Sequence, residues 1–381
     1  MSFAERIFIS ISADPDRLGK ELEWLAKIGC IGVHVRLYAH DSPAVTEFKK
    51  HAVRRLKNLN YAVTISLVQD RRTSANPELW EEFCCDILDS VRDIVMWVEY
   101  LHAINRVKWG IWNLNELEAL LALLPSLSEK YRDVTFIAPS VIDFEWDYMA
   151  AALERFPADA KISALSTHLY VDRRGAPESY QGKFNALGKL QLLRAMALSC
   201  ENFQENLIVS EFNWPLLGTR EWSPVGSPYV SPGERKNDPS VSEKDAAIFT
   251  MRYIFIGLCS GMAESMVFWS LAAHGFGLVD PGTNPEAPWR GRPAFRALKF
   301  FFKLFRHGHY TKAILKGEKD AWMMQFVSGE GDNIAVAWSS SKTDAHEPLP
   351  PIPFKYSKVY NLYGEEIQKP ASLGADPIYI T

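Results

Sequence analysis

The sequence has no long apolar run and no large excess of either charge. Its longest weakly polar run, residues 253–263, is far shorter than the roughly 18 residues that a transmembrane helix needs. Lys and Arg number 42 and Asp and Glu 46, for a formal net charge of −4, so neither a nucleic acid nor a membrane is expected as a partner. No basic segment followed by an apolar stretch opens the chain, and we expect a cytoplasmic protein.

Cysteine is scarce, and the usual cofactor and metal motifs are missing. The five cysteines are scattered, without the spacing of a disulfide framework or a metal site. No Gly-x-Gly-x-x-Gly follows a strand-like run, and neither a Gly-x-Ser-x-Gly nor a His-Glu-x-x-His motif is present. His307 and His309 have no evident third ligand and read as residues near a helix end. We therefore predict no metal and no cofactor.

What the sequence does contain is a regular alternation of strand-like and helix-like segments. Eight runs are nearly continuous in apolar and β-branched residues, as expected for parallel strands covered on both faces. They are residues 6–12, 31–37, 62–68, 94–104, 134–140, 162–170, 207–213 and 265–271. Helical patterns lie between them, so we predict an α/β fold, a (β/α)8 TIM barrel.

The two ends of the helical segments and the tail of the chain are also readable. A helix after the first strand should end at Gly29, and residues 242–245, Ser-Glu-Lys-Asp, form a capping box that should begin another. After residue 306 the helical alternation stops, and short strands surround the Gly-Glu-Gly-Asp-Asn turn at 329–333. We predict a barrel over residues 1–306 and a small, sandwich-like antiparallel β-domain over residues 307–381.

In a TIM barrel, side chains at the C-terminal ends of strands form the active site. The polar and aromatic residues at these ends are Arg36, Asn105, Arg106, His168, Tyr170, Glu211 and Trp269. Glu211 is the most specific, because a carboxylate that ends an apolar strand would be costly to bury without a partner. It is either a functional group or one arm of an ion pair.

A long proline-rich connection, residues 214–240, follows the seventh strand. Loops longer than about 12–15 residues are uncommon and are often binding loops. This one would lie on the C-terminal face, where its aromatic residues Trp214, Trp222 and Tyr229 could stack on a sugar. The alternative is a surface loop with a small cluster of its own.

The order of motifs resembles that of the clan A retaining glycoside hydrolases, nearest to the β-xylosidase and iduronidase type, which add a C-terminal β-domain to the barrel. The segments that carry the resemblance are VHVRL (33–37), THLY (167–170), IVSEFNWP (208–215), MVFWSL (266–271), GFGLVD (275–280) and GRPAFRAL (291–298). The resemblance implies that Glu211 is the nucleophile, that Arg36 is its hydrogen-bond partner, and that the substrate is a carbohydrate. It also implies that Asn105, His168 and Tyr170 position the sugar and that Trp269 stacks on it.

The chain departs from this family at the end of the fourth strand. The family has Asn-Glu there, with Glu as the acid/base, whereas this chain has Asn105 followed by Arg106. Arginine does not release a proton near neutral pH, and loss of general acid catalysis costs typically about 10²–10⁴-fold in rate. We expect Arg106 to lie close enough to pair with Glu211, which would weaken or abolish hydrolysis.

Other residues could supply the proton. By strand alternation, Glu99 should point to the face opposite to His102, and His102 should lie too deep to reach a leaving group. Glu116 begins a helix, where an acidic residue is ordinary helix-dipole chemistry. Glu221 and Glu234 on the long connection are further options.

Two functions follow. The first is a glycosidase or transglycosidase with Glu211 as nucleophile and an atypical or missing acid, and the intact Glu211 favours it. The second is an inactive, carbohydrate-binding relative of such an enzyme, in which Arg106 grips an acidic sugar. The presence of Arg106 favours this second reading.

Overall fold

In a computed structural model of the chain, eight parallel strands close into a barrel in sequence order. The structure describes residues 1–171, 175–201, 203, 206–219, 240–284, 287–313, 320–340 and 347–381. The barrel strands β1 to β8 are Ile7–Ile11, Gly32–Tyr38, Ala62–Val68, Val95–Tyr100, Phe136–Ile142, Ala164–His168, Leu207–Phe212 and Ser265–Phe268. Because β8 also pairs in parallel with β1, the sheet has no free edge, and the predicted TIM barrel is confirmed.

Helices follow the barrel strands and cover the outside of the sheet. Helices α1 to α10 are Leu18–Ile28, Pro43–Asn58, Arg71–Ser74, Pro77–Val91, Leu114–Leu121, Leu124–Lys130, Trp146–Leu153, Ala186–Leu198, Glu243–Cys259 and Pro293–Phe305. Gly29 ends α1 with a left-handed φ of 76°, and the Ser242 hydroxyl accepts a hydrogen bond from the Asp245 amide at 3.0 Å to begin α9, as predicted. Of these helices, none combines the length and the apolar character that crossing a bilayer requires, over the residues that the structure describes.

The chain after α10 forms a six-stranded antiparallel sheet. The remaining strands β9 to β18 are Val279–Asp280, Arg290–Gly291, His309–Ala313, Ala321–Val327, Asn333–Ser339, Glu347–Pro348, Val359–Tyr360, Glu366–Ile367, Ser372–Leu373 and Ile378–Ile380. Within the sheet the order is β11-β12-β13-β18-β15-β16, which confirms a C-terminal β-structure. Phe326 and Trp338 of this sheet share one hydrophobic core with Phe301 of α10, so the boundary at residue 306 stays a prediction.

Strand β4 is shorter than predicted, and this changes which side chains enter the barrel. It ends at Tyr100, and both Leu101 (φ 67°) and Ala103 (φ 43°) have left-handed backbone conformations that a strand cannot contain. The strand alternation therefore stops before His102. The prediction that Glu99 and His102 point to opposite faces is wrong, because the two side chains contact each other.

A buried ion pair connects the barrel to the C-terminal sheet. Glu178, in the segment between β6 and α8, accepts a hydrogen bond from Arg252 Nε of α9 at 2.9 Å and another from Trp338 Nε1 of β13 at 2.8 Å. The Arg252 and Glu178 side chains are only 3% and 8% exposed. One carboxylate thus satisfies two buried donors that belong to different parts of the fold.

Replacing Glu178 with Ala should leave Arg252 as an unpaired buried charge. Removal of one partner of such a pair typically costs about 3–5 kcal/mol in the free energy of unfolding. Urea unfolding measures this loss. The matched control is Glu365→Ala, whose partner Arg296 is exposed, and which should cost about 0–1 kcal/mol. Losses of equal size in the two variants would contradict the assignment.

Candidate active site

Four polar side chains from four different strands meet inside the C-terminal mouth of the barrel. They are Arg36 of β2, Glu99 of β4, His168 of β6 and Glu211 of β7, and each is at most 2% exposed. The strand register places Arg36 beside Ser66 of β3, and Ser66 beside Glu99. The closed parallel sheet therefore brings these distant parts of the sequence to one level of the barrel.

Glu211 has the partner that the sequence predicts. Arg36 Nη2 donates a hydrogen bond to Glu211 Oε2, and both side chains are almost completely buried. The Arg36 guanidinium carbon also lies 3.4 Å from the ring centroid of the half-buried Trp269, a cation–π contact. The ion pair supplies the counter-charge that Glu211 needs at this depth.

His168 lies between Glu211 and a second carboxylate, Glu99. Its Nδ1 is 3.7 Å from Glu211 Oε2, and its Nε2 is 3.5 Å from Glu99 Oε1. His102 Nδ1 lies 3.5 Å from Glu99 Oε2, and the Ser66 hydroxyl donates to the same oxygen at 2.5 Å. Sequence reasoning considered Glu99 and His102 only as poorly placed acids. Their convergence depends on the left-handed turn after β4, for which the sequence carries no glycine signal.

The surroundings of Glu99 favour its charged form. Burial alone would raise the pKa of this carboxyl, but His168 and His102, through charge and hydrogen bonding, hold that pKa well below its usual range. Burial, together with the nearby charge of Arg36, lowers the pKa of His102 well below its usual range. A general acid needs a raised pKa instead, so Glu99 is not suited to protonate a leaving group.

Arg106 lies away from this group of residues. Its Nη2 is 2.7 Å from Asp143 Oδ2 and its Nη1 is 2.7 Å from Glu145 Oε1, both in the connection after β5. The expected pairing with Glu211 is therefore wrong, because the turn that ends β4 carries Arg106 towards the neighbouring connection. Asn105 joins the same network through Nδ2, 2.7 Å from Glu145 Oε2.

The remaining candidates have mixed outcomes. Trp214 is 2% exposed and donates its indole N–H to the Gly175 carbonyl at 3.2 Å, so the prediction that it stacks on a sugar is wrong: its ring is part of the hydrophobic core. Tyr170 is buried just beyond β6. Four residues of the long connection lie outside the described residues: Trp222, Tyr229, Glu221 and Glu234.

Glu116 does not have the properties of a general acid. Arg71 binds both of its oxygens, at 2.7 and 2.9 Å. The hydrogen bonds from Arg71 lower the pKa of the Glu116 carboxyl, which therefore favours the charged form. Its contacts tie the helix that follows β4 to the one that follows β3.

The motif that opens the last helix organises the connection after β8. Arg292 is buried, and its Nη1 donates to the carbonyls of Ala273 and Gly277 at 2.7 and 2.8 Å. It also pairs with Asp280 at 3.1 Å. Arg292 thus fixes the chain that leads away from Trp269, a structural reason for one part of the sequence resemblance.

Solved structures of glycoside hydrolases are similar to this chain in fold. A family 39 glycoside hydrolase from Bacteroides cellulosilyticus WH2 has a TM-score of 0.69 at 13% identity, over 99% of this chain and 80% of the other. A monomeric β-xylosidase from Caulobacter crescentus CB15 has a TM-score of 0.64 at 10% identity, over 100% and 96%. A family 51 α-L-arabinofuranosidase from Bifidobacterium longum has a TM-score of 0.61 at 11% identity, over 100% and 97%.

No protein-family model matches the chain, and no curated protein matches it by sequence. At these identities the structural likeness establishes the fold and not the reaction. The chain has a glycoside hydrolase-like fold, a TIM barrel with a C-terminal β-structure.

His34 makes the stability of the barrel interior dependent on pH. This β2 residue is fully buried, with Nδ1 3.0 Å from Thr64 Oγ1 and Nε2 2.9 Å from Ser66 Oγ. Since the Ser66 hydroxyl donates to Glu99, His34 Nε2–H donates to Ser66. Burial lowers the pKa of His34 to about 3. As the pH falls below about 6.5, the unfolded chain binds a proton here that the folded chain does not bind, so stability is lost.

His34→Gln should therefore reduce the loss of unfolding free energy between pH 6.5 and 4.5 by up to about 1.4 kcal/mol per pH unit. Urea unfolding at a series of pH values measures the slope. The control His51→Gln, at an exposed position of α2, should keep the slope of the unmodified chain. An unchanged slope in His34→Gln would contradict the prediction.

Proposed function

We propose that this protein acts on a carbohydrate through a retaining-type glycosidase site in which Glu211 is the nucleophile and the general acid is atypical or missing. The observation that carries the proposal is the buried Glu211 carboxylate, paired with Arg36 at the C-terminal mouth of a glycoside hydrolase-like barrel. A carboxylate in such a place is expensive to keep unless the site uses its charge.

The chemistry assigned to Glu211 is attack on the anomeric carbon of a glycoside. A retaining enzyme forms a covalent glycosyl-enzyme intermediate, which water then hydrolyses. Arg36 fixes the orientation of the Glu211 carboxylate, and His168 packs against its other side at 3.7 Å. In this proposal Trp269, which covers Arg36, forms the wall on which a sugar ring stacks.

The second requirement of that mechanism, a carboxylic acid about 5–5.5 Å from the nucleophile, has no evident candidate among the described residues that we weighed. Arg106 cannot donate a proton, and it is engaged by Asp143 and Glu145. Glu99 and Glu116 both have lowered pKa values. Substrates whose leaving groups depart without protonation should therefore react far better than natural glycosides.

A second candidate function is carbohydrate binding without cleavage. Two tryptophans are strongly exposed on the connections after β4 and β5: Trp112 is 62% and Trp146 is 48% exposed. Arg71 lies over the Trp112 ring at 3.9 Å and supports one face of it. Exposed, well-supported aromatic rings are suited to stacking on the apolar faces of sugars, and this favours a binding role.

Initial rates on aryl glycosides test the proposal. Dinitrophenyl and phenyl β-xylosides and α-L-arabinofuranosides come first, because two similar structures are described as a β-xylosidase and an α-L-arabinofuranosidase. We expect turnover of the dinitrophenyl substrates, and slower turnover of the phenyl substrates by about 10²–10⁴-fold for want of an acid. Glu211→Gln should abolish turnover, whereas Glu116→Gln should leave it unchanged.

Calorimetric titration with the corresponding free oligosaccharides separates the two functions. Binding without turnover of any aryl glycoside would reject the enzyme in favour of the binding protein. Turnover that survives Glu211→Gln would reject Glu211 as the nucleophile. Neither turnover nor binding on a broad glycan panel would overturn both candidates.

A further inference from the structure

Three potential metal ligands lie together inside the barrel mouth, below Glu211. They are Glu99, His102 and His168, and each is at most 2% exposed. One oxygen or nitrogen atom from each lies within 4.8 Å of the corresponding atoms of the other two. The two imidazole rings are in contact, with their centroids 4.4 Å apart.

The contacts within this group are poor hydrogen bonds. Glu99 Oε1 is 3.5 Å from His168 Nε2, and Glu99 Oε2 is 3.5 Å from His102 Nδ1. Normal hydrogen bonds between such groups are about 2.7–3.2 Å long. Glu99 Oε1, His102 Nδ1 and both ring nitrogens of His168 lack a hydrogen-bond partner. Buried polar atoms without partners are rare, and several that face one another call for an explanation.

A metal ion explains these separations. Zinc binds imidazole nitrogen and carboxylate oxygen at about 2.0–2.2 Å, so neighbouring ligand atoms of a tetrahedral site lie about 3.3–3.6 Å apart. The observed 3.5 Å between Glu99 and each imidazole falls within this range. The spacing is too long for hydrogen bonding and suited to coordination of a shared ion.

We propose that Glu99, His102 and His168 bind one divalent transition-metal ion of the zinc type. Two histidines and one carboxylate are a common zinc ligand set, and three protein ligands leave one position for water. The charges agree with a bound cation: Glu99 and Glu211 each bring a negative charge, and among their described contacts Arg36 is the arginine that balances them.

The residues around the three ligands support the same assignment. The Ser66 hydroxyl donates to Glu99 Oε2 at 2.5 Å and orients the carboxylate. Gln69 holds the backbone of His102 on both sides, accepting from its N–H at 2.9 Å and donating to its carbonyl at 2.7 Å. Glu211 Oε2 lies 3.7 Å from Nδ1 of His168, the side opposite to the ligating Nε2. Carboxylates behind metal-bound histidines are typical outer partners that fix the ring.

The proposed ion would act as a structural support for the site above it. By holding the His168 ring through Nε2, it would direct the Nδ1 side towards Glu211, and it would neutralise Glu99 in the barrel interior. This role does not depend on whether the protein cleaves or only binds a carbohydrate.

Metal analysis of the full chain tests the inference. The protein is treated with a chelator, dialysed, and titrated with ZnCl₂ in a calorimeter, and the bound zinc is then counted by atomic emission. We expect one equivalent per chain. Replacing zinc with Co²⁺ should produce the intense visible absorption of a tetrahedral cobalt site. No stoichiometric binding by the folded, chelator-treated chain would overturn the proposal.

Variants locate the ion. His102→Asn and Glu99→Gln keep polar side chains of similar size and should lose the cobalt spectrum and at least tenfold in zinc affinity. Two controls should retain both: His34→Gln, which changes a neighbouring buried histidine, and the double variant His307→Ala/His309→Ala, which removes the histidine pair after α10. Circular dichroism confirms that each variant folds. Binding that persists in His102→Asn and Glu99→Gln but disappears in the double variant would overturn the assignment. Because no activity is measured, failure here is distinct from failure of the glycosidase assay.

Discussion

The need to stabilise two carboxylates inside the barrel determines the arrangement of the site. Glu99 and Glu211 lie where almost no water reaches them, and each would cost several kcal/mol if it were left without a partner. Arg36 balances Glu211, while Ser66 and two histidines surround Glu99. Four of the eight strands must therefore carry a charged or imidazole side chain at the same depth, in a sheet whose other inward positions are largely apolar. An interior of this kind lowers packing stability, which points to selection for chemistry or binding at the mouth.

A second polar network lies at the rim and is separate from the first. Arg106, Asp143 and Glu145 join the connections after β4 and β5, and Arg71 with Glu116 joins those after β3 and β4. These side chains are partly exposed, so each ion pair contributes little stability alone. Their effect is geometric: they fix three neighbouring connections relative to one another. The exposed indoles of Trp112 and Trp146 belong to these connections, which gives the rim a defined shape above the buried site.

The sequence alone predicts the barrel and one half of the site. Apolar runs and helix-end signals depend on local composition, which is why the eight strands and the caps at Gly29 and Ser242 were predictable. Glu211 was recognisable as the single acid in an apolar strand, and its contact with Arg36 came from the family resemblance. The position of Glu99 was not predictable, because it depends on left-handed conformations at Leu101 and Ala103, two residue types that do not signal them. The same turn moved Arg106 away from Glu211. Trp214 was misjudged because a tryptophan that follows a strand can enter the core or the pocket, and only the packing of α9 decides between them.

The close pairing of Glu211 with Arg36 affects the two candidate functions in opposite ways. An arginine that binds a carboxylate orients it and keeps it charged, which a nucleophile requires, but it also reduces the basicity of the bound oxygen. With an acid to assist the leaving group, a retaining site tolerates this loss, since bond cleavage and attack proceed together. Without such an acid, the weaker nucleophile must displace the leaving group alone. The geometry around Glu211 is therefore compatible with fast reaction only where the leaving group is already activated, and with tight binding where a sugar hydroxyl donates to the same carboxylate. Which of the two the protein uses depends on the chemistry of its sugar substrate rather than on any further rearrangement of the barrel.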